Sequence, residues 1–243
     1  MKQNVYDKDE FFSKYSQMKR SIKGLEGAGE WKTLEKMLPD FKGKRVLDLG
    51  CGFGWHCQYA IEHGAKKVVG VDISEKMIAG AKEKTAKEIA YICKPLEDIE
   101  FDNNSFDVVI SSLTFHYIQS FDEIAKNIHQ WLVKGGDFVF SVEHPVYTSS
   151  AGSDFVRDEQ GRAMHFPVDN YYSEGKRETN FLGSDVIKYH RTLTTYINDL
   201  IHAGFEIIEV TEPQPSEQHL KENERMKDEL RRPLMLIISA KKK

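Results

Sequence analysis

The most informative segment of the chain reads Val46-Leu47-Asp48-Leu49-Gly50-Cys51-Gly52-Phe53-Gly54. Residues 46–49 are typical of a buried strand, and the alternate glycines that follow allow a tight turn with no side chain between backbone and ligand. Residues 55–63 then fit a helix that Gly64 ends. This order of strand, turn and helix predicts a cofactor site at the turn.

An acidic residue at the end of the next strand indicates the kind of cofactor. The apolar run 68–71 ends in Asp72, which stands 18 residues beyond Gly54. In a parallel sheet this position lies near the glycine turn, and a carboxylate presents two oxygens that suit the neighbouring hydroxyls of a ribose. A dinucleotide fingerprint would need glycine at position 55, where the chain has Trp55, so the pattern disfavours NAD.

These two motifs resemble those of the class I S-adenosylmethionine-dependent methyltransferases. Residues 89–93, 105–111 and 132–140 resemble the third, fourth and fifth strands of that family, so the resemblance covers most of the chain. The motifs are most similar to those of the small-molecule branch that includes ubiquinone/menaquinone C-methyltransferases. The resemblance implies S-adenosyl-L-methionine as cofactor and an α/β fold. That fold is a Rossmann-like, seven-stranded, mostly parallel sheet with an antiparallel last strand and helices on both faces.

The chain length is within the range of one α/β domain, and we expect residues 1–243 to form a single domain. Residues 1–40 would form an N-terminal helical cover, and residues 41–145 the cofactor-binding core. Residues 146–190 lack periodicity and are rich in glycine and aromatic residues, which predicts an insertion over the reacting centre. The alternative is a surface loop without a role at the reacting centre. Residues 191–243 would supply the last helix and the closing strands.

Local patterns predict the helices in more detail. Apolar residues at helical spacing predict one helix from Phe11 to Ile22 and another from Trp31 to Leu38. Ser74 is placed to cap a helix over 74–87, and Ser120 with Glu123 forms a capping-box pattern. A helix over 193–201 precedes strands at 205–210 and 234–240.

The resemblance also assigns cofactor contacts. In the family, Asp48 commonly helps to hold the ammonium of the cofactor, and the backbone at Ser111 faces the methionine moiety. The expected cofactor residues are Tyr15, Arg20, Asp48, Gly50, Cys51, Gly52, Gly54, Asp72, Ile73, Met77, Leu96, Glu97 and Ser111.

Two of these assignments need a further argument, because the chain departs from the family motif near the adenine and because Arg20 could have another role. The family often has an Asp-Ala pair beside the adenine, but this chain reads Lys94-Pro95-Leu96-Glu97. Because Pro95 has no N–H, adenine recognition would use the amide of Leu96 or the side chain of Glu97. Arg20 offers a bidentate fork for the cofactor's carboxylate, and the alternative is a solvated arginine on a surface helix.

The sulfonium of the cofactor already makes its methyl group electrophilic, so in-line displacement mainly needs alignment of the acceptor and exclusion of water. A general base is needed only if the acceptor carries a proton. His116 after the fourth strand, Glu143-His144 after the fifth and His190 at the end of the insertion are placed for this role. Alternatively, His116 packs against the cofactor and His144 only hydrogen-bonds at a strand end.

Composition excludes several classes of function. The chain has 34 basic and 38 acidic residues, and its net charge of -4 gives little support for nucleic-acid binding. The three cysteines show neither zinc-ligand spacing nor a disulfide framework, so we expect no metal and a cytoplasmic location. No apolar run reaches the ~20 residues that a membrane span needs.

The sequence therefore predicts methyl transfer to a small-molecule acceptor. A protein or tRNA methyltransferase is one alternative, which would predict more positive charge, and a non-catalytic S-adenosylmethionine-binding module is another. The segment 111–114 reads Ser-Ser-Leu-Thr and lacks the Asn-Pro-Pro-Tyr-like motif of amino-group DNA methyltransferases. The sequence leaves the acceptor atom and the oligomeric state open.

Overall fold

The strands of this computed structural model form one large sheet and two hairpins. The structure describes residues 3–150, 152, 154–215, 220–221 and 224–243. The strands are β1 (Arg45–Leu49), β2 (Lys67–Asp72), β3 (Ala90–Cys93), β4 (Phe106–Ser112), β5 (Leu132–Glu143), β6 (Val156–Arg157), β7 (Ala163–His165), β8 (Gly175–Phe181), β9 (Ser184–His190), β10 (Phe205–Thr211) and β11 (Met235–Lys242). The helices are α1 (Asp9–Ser16), α2 (Lys19–Ile22), α3 (Trp31–Met37), α4 (Trp55–Glu62), α5 (Glu75–Lys84), α6 (Phe121–Trp131), α7 (Pro145–Thr148) and α8 (Leu193–His202).

The large sheet has seven strands in the order β10-β11-β5-β4-β1-β2-β3. Strand β1 pairs in parallel with both β2 and β4, whereas β11 pairs antiparallel with both β5 and β10. The predicted fold class is confirmed. The carboxyl ends of β1, β2 and β4 meet at one edge, which is where ligands bind in open α/β sheets.

Alternate residues of the central strands point to opposite faces of the sheet, and each face is covered by helices. Leu47 of β1 packs in the cluster that contains α6 and α8, whereas Val46 packs in the cluster that contains Cys57 of α4. Both side chains are fully buried. The period of two along the strand therefore fixes which helix each residue contacts.

The starts of α5 and α6 test the two capping patterns that the sequence predicts. The side chain of Ser74 accepts a hydrogen bond from the amide of Met77, as expected for the cap of α5. Ser120 is the N-cap of α6, but its side chain makes no capping hydrogen bond, so the predicted capping box is wrong. The backbone of Ser120 (φ -112°, ψ 82°) departs from the more extended geometry of Ser74 (φ -90°, ψ 122°).

The N-terminal segment is more broken than its apolar spacing predicts. The single helix expected over 11–22 is divided into α1 and α2, because Met18 is extended (φ -66°, ψ 149°). The hydroxyl of Ser21 donates to the carbonyl of Tyr15 across this break at 2.7 Å.

The insertion contains two hairpins, β6–β7 and β8–β9, where the sequence predicted no regular structure. Val186 of β9 packs with Val5 and Phe11 of the N-terminal segment, and the rings of Phe11 and Phe181 have centroids 5.8 Å apart. Hairpin β8–β9 and the N-terminal segment therefore form one apolar cover. In the described part of the chain, no helix has both the length and the apolar character that a membrane crossing requires.

Candidate active site

A cavity of about 470 Å³ lies at the carboxyl edge of the sheet. The glycine turn and Asp72 line one part, His116 and Glu143 line another, and the N-terminal segment and hairpin β8–β9 contribute further walls. This volume is within the roughly 300–1,000 Å³ typical of small-molecule sites. The position matches the ligand crevice of open α/β folds.

The three glycines of the turn serve two different purposes. All have positive φ, at 75° for Gly50, 53° for Gly52 and 75° for Gly54. A Cβ at Gly50 would lie 2.1 Å from the hydroxyl oxygen of Thr114, and one at Gly54 would lie 2.1 Å from that of Tyr91. A Cβ at Gly52 would meet no protein atom within 4 Å. Gly52 therefore leaves backbone open to the cavity, as a bound cofactor would require.

The carboxylate of Asp72 is fixed by two backbone amides. Its Oδ2 accepts from the N–H of Gly52 and its Oδ1 from the N–H of Ser74, each at 2.9 Å. Burial raises the pKa of Asp72, the charge of Asp7 raises it further, and the backbone hydrogen bonds oppose the shift. Each oxygen has a second lone-pair direction, so the oriented carboxylate can still accept a pair of neighbouring hydroxyls.

The start of the chain is attached to helix α5 beside Asp72. Asp7 accepts from the hydroxyl of Ser74 at 2.5 Å and from the amide of Lys76 at 3.1 Å, and Asn4 donates to the carbonyl of Ile73 at 3.2 Å. Burial alone would raise the pKa of Asp7, but the bond from Ser74 and the amide bonds lower it overall. This attachment brings Val5 and Tyr6 to the cavity. No sequence pattern predicted it.

Arg20 lines the cavity and is paired with a buried carboxylate. Its Nη2 lies 2.5 Å from Oε1 of Glu30, which also accepts from the hydroxyl of Ser112 at 3.0 Å. Burial alone would raise the pKa of Glu30, but the charge of Arg20 lowers it overall. The guanidinium is thus held in place while it still presents N–H groups to a carboxylate ligand. Sequence reasoning missed Glu30, because its link to Arg20 depends on the bend after α1.

His116 lies in the short 3-10 helix Phe115–Tyr117, directly after β4. Burial lowers the pKa of His116 to about 4, with Glu143 acting in the opposite direction. The backbone N–H of Glu143 donates to its Nδ1 at 3.4 Å. The ring is therefore neutral near pH 7 with its proton on Nε2, so Nε2 acts as a donor and not as a base.

This low pKa predicts a pH-dependent contribution to stability. Because the folded pKa of His116 lies below its ordinary unfolded value near 6.5, protonation destabilises the folded chain as pH falls from about 6.5 towards 4. We expect His116→Gln to lose less stability than the wild type between pH 7 and 5 in urea unfolding. His202→Gln, an exposed control on α8, should lose as much as the wild type. Equal losses for all three proteins would contradict a neutral, buried His116.

Most of the predicted site residues do converge on the cavity. Those that line it are Tyr15, Arg20, Gly50, Cys51, Gly52, Asp72, Ile73, Met77, Leu96, Glu97 and His116. Asp48, Gly54, Ser111, His144 and His190 are not among the residues that line it.

Asp48 and Ser111 hydrogen-bond to other core residues and do not line the cavity. Asp48 accepts from the thiol of Cys57 at 3.3 Å, and burial raises its pKa to about 7. The hydroxyl of Ser111 donates to the carbonyl of Leu49 at 2.7 Å, and the next residue, Ser112, lines the cavity instead.

His144 and His190 have structural partners on both ring nitrogens. Nδ1 of His144 accepts from the amide of Val146 at 3.0 Å, and its Nε2 lies 2.8 Å from a carboxylate oxygen of Glu212. His190 is hydrogen-bonded at Nδ1 to Thr148 and at Nε2 to the carbonyl of Tyr171, both at 2.8 Å. His144 thus joins the start of the insertion to Glu212, whereas both contacts of His190 lie within the insertion. Of the three candidates, the structure brings only His116 to the cavity.

Much of the insertion lies away from the cavity. The rings of Tyr147, Phe155 and Phe166 surround the guanidinium of Arg232, with centroids 4.7, 5.4 and 4.5 Å from its Cζ. Of the insertion aromatics that the sequence placed over the site, Phe181 lines the cavity. Tyr6 and Tyr117 line it as well and were not predicted. Among the described residues, no group of three or more His, Cys, Asp or Glu side chains could hold a metal ion.

Comparisons with known proteins agree with this arrangement. A methyltransferase-domain family matches residues 47–140. A methyltransferase structure of the S-adenosylmethionine-dependent kind from Listeria monocytogenes is 54% identical, covers 90% of this chain and 99% of its own, and has a TM-score of 0.86. An S-adenosylmethionine-dependent methyltransferase from Mesorhizobium loti is 42% identical, with 90% and 100% covered and a TM-score of 0.84.

One curated relative is named for a more specific activity than these two structures, and it is similar to this chain over a shorter segment. The ubiquinone biosynthesis O-methyltransferase of Coxiella burnetii is 35% identical over 103 residues, which is 41% of this chain and 44% of that protein. Its similarity concerns part of each chain, whereas the two solved structures are similar over almost their whole length. The chain therefore belongs to the S-adenosylmethionine-dependent methyltransferases, and S-adenosylmethionine is its cofactor.

Proposed function

We propose that this enzyme methylates a small molecule held in the cavity of about 470 Å³. The observation that carries the proposal is the continuity of this cavity, which Gly52 and Asp72 line together with His116, Tyr117 and Glu143. One space can therefore hold both the methyl donor and its acceptor.

The residues at the glycine turn fit the cofactor. Gly52 gives access to backbone, the amide-held carboxylate of Asp72 would accept the ribose hydroxyls, and Arg20 would pair with the carboxylate of the methionine moiety. Leu96 and Glu97 also line the cavity and would contact the adenine. When bound, S-adenosylmethionine supplies a methyl group that its sulfonium makes electrophilic.

The rest of the cavity would bind the acceptor and exclude water. Tyr6, Tyr117, Phe181 and Tyr189 supply aromatic surface, which suits a small, partly apolar molecule. His116 would orient the acceptor by donating from Nε2 rather than by removing a proton. The Coxiella relative, named as an enzyme of ubiquinone biosynthesis, supports an acceptor of small size. The net charge of -4 gives no excess of positive charge for binding the phosphates of a nucleic acid.

The proposal is tested by following the methyl group. The enzyme is incubated with S-adenosylmethionine carrying a labelled methyl group and a cell extract divided into an ultrafiltrate of small molecules, a protein fraction and an RNA fraction. We expect enzyme-dependent label in the ultrafiltrate, and much less label with Asp72→Ala when S-adenosylmethionine is kept near the wild-type Kd. Label confined to the protein or RNA fraction would contradict the proposal.

A further inference from the structure

We infer that Arg191 is a positioning residue for methyl transfer: its guanidinium holds the 115–119 loop, which carries His116 and Tyr117, where the loop forms a wall of the cavity. This inference rests on the proposed function, because that wall belongs to the part of the cavity assigned to the acceptor. Arg191 directly follows β9 and is not among the residues that line the cavity. It therefore acts through the loop rather than by contact with a ligand.

The guanidinium of Arg191 donates to several backbone carbonyls of this loop. Its Nη2 donates to the carbonyls of Ile118 and Gln119, the latter at 2.6 Å, and its Nη1 donates to that of Phe115 at 3.4 Å. The same Nη1 lies 3.5 Å from the carbonyl of Tyr189 in β9. The planar fork of the guanidinium can serve carbonyls that converge from different directions, whereas an ammonium presents its donors from a single nitrogen.

Two aromatic rings fix the place of this guanidinium. Arg191 is 6% exposed, and its Cζ lies 5.9 Å from the ring centroid of Phe121 and 5.8 Å from that of Tyr196. Both rings are buried, one on α6 and the other on α8, and the face of an aromatic ring attracts a cation. The core thus holds the guanidinium, and the loop that binds to it is held at the same place.

Arg191 joins two walls of the cavity. The residues of these walls that line the cavity include His116, Tyr117, Ile118 and Gln119 in the loop and Ile187 and Tyr189 in β9. The acceptor would lie between these walls. At the cofactor end, by contrast, Asp72 is held by the amides of Gly52 and Ser74. A change at Arg191 should therefore affect the acceptor side of the cavity and spare the cofactor side.

Loss of the guanidinium would leave the converging carbonyls of the loop without their donor. Buried carbonyls without a donor are costly, so the loop would shift until water reached them. His116 would then no longer hold its Nε2–H at a fixed point of the cavity. Because in-line displacement depends on alignment of the acceptor, a displacement of about 1 Å can lower the rate about a hundredfold.

Arg191→Lys tests the hydrogen bonds alone, because it keeps the positive charge and replaces the fork by one ammonium. Methyl transfer to the small-molecule ultrafiltrate is measured with labelled S-adenosylmethionine and a limiting amount of ultrafiltrate. We expect the initial rate to fall by about 10- to 100-fold. The S-adenosylmethionine concentration that gives the half-maximal rate, and the affinity for S-adenosylhomocysteine, should stay close to those of the wild type.

The titration of His116 gives a second measurement, which needs no acceptor. Burial lowers the pKa of His116 to about 4; Glu143 raises this pKa, whereas Lys188, Arg191 and Arg20 lower it. Arg191→Lys leaves all of these charges in place, so water that enters beside the ring should raise the pKa towards its ordinary value near 6.5. We expect the NMR signal of His116, identified by its loss in His116→Gln, to titrate at a higher pH in Arg191→Lys than in the wild type.

Arg177→Lys is the matched control. Arg177 also donates to several backbone carbonyls, those of Ser149, Asn170 and Ser173, but none of these four residues lines the cavity. The control should lose stability in urea unfolding and keep both the wild-type rate and the wild-type titration of His116. If Arg191→Lys does not unfold cooperatively, Arg191→Gln takes its place in the rate measurement.

The outcomes separate this inference from the proposed function. If the wild type transfers no label to the ultrafiltrate, the proposed function is wrong, and the titration of His116 still tests Arg191. If label is transferred, the inference alone is overturned when Arg191→Lys keeps the wild-type rate, keeps the wild-type titration of His116, or loses affinity for S-adenosylhomocysteine. Equal losses in Arg177→Lys would also overturn it, because the effect would then belong to the insertion as a whole.

Discussion

Replacing Asp72 by alanine is expected to weaken binding of S-adenosylhomocysteine by about 10- to 150-fold, or roughly 1.5–3 kcal/mol. The change removes an oriented carboxylate that lines the cavity and that would accept two ribose hydroxyls. Calorimetric titration of the wild type and the variant measures the difference directly.

A control is needed because Asp72 also accepts the amides of Gly52 and Ser74. Asp72→Asn keeps the shape of the side chain and one carbonyl acceptor, so it should fall between the wild type and Asp72→Ala in affinity. Unfolding curves show whether each variant is still folded. If Asp72→Ala unfolds cooperatively and binds S-adenosylhomocysteine with wild-type affinity, the assignment of Asp72 as a cofactor-binding residue is wrong.

Replacing Gly52 by alanine should weaken cofactor binding by about 10- to 100-fold, because the new methyl group would occupy space that the ligand needs. Gly43 provides a matched control. Both residues have positive φ, 53° for Gly52 and 69° for Gly43, and at both a Cβ would meet no protein atom within 4 Å. Only Gly52 of the two lines the cavity.

The two variants should therefore lose similar stability, about 1–2 kcal/mol from the left-handed backbone, and differ in affinity. Thermal unfolding measures the first quantity and titration with S-adenosylhomocysteine the second. Equal affinities for Gly52→Ala and Gly43→Ala would show that no ligand approaches the backbone at Gly52.

The parts of the site that the sequence predicted depend on local order along the chain. The glycine turn and Asp72 each follow directly from a strand, and the parallel sheet brings the ends of β1 and β2 together. The resemblance to a family added Arg20, which does line the cavity. These residues could be found because a motif of a few positions specifies both the backbone and the chemistry.

The missed residues depend on contacts between distant segments. Asp7 reaches the start of α5, and Lys188 reaches Glu143 across 45 residues of sequence. No pattern of local spacing encodes such a pair. His190 shows the converse, since its place at the end of the insertion suggested catalysis, whereas Thr148 and Tyr171 occupy both of its ring nitrogens.

The insertion illustrates the same limit. Its aromatic composition predicted a cover over the site, and hairpin β8–β9 does contribute Phe181 and Tyr189 to the cavity. Tyr147, Phe155 and Phe166 instead surround Arg232, a residue far along the chain. Composition identifies apolar surface that must be buried, but the partner that buries it is set by the tertiary fold.

The most direct test of the central claim is a crystal structure of the enzyme with S-adenosylhomocysteine. We expect the ribose hydroxyls on the carboxylate of Asp72, the ligand against the backbone of Gly52, and the sulfur directed towards the part of the cavity lined by His116 and Glu143. A ligand bound elsewhere, or one whose sulfur faces away from His116 and Glu143, would contradict the assignment of this cavity to methyl transfer.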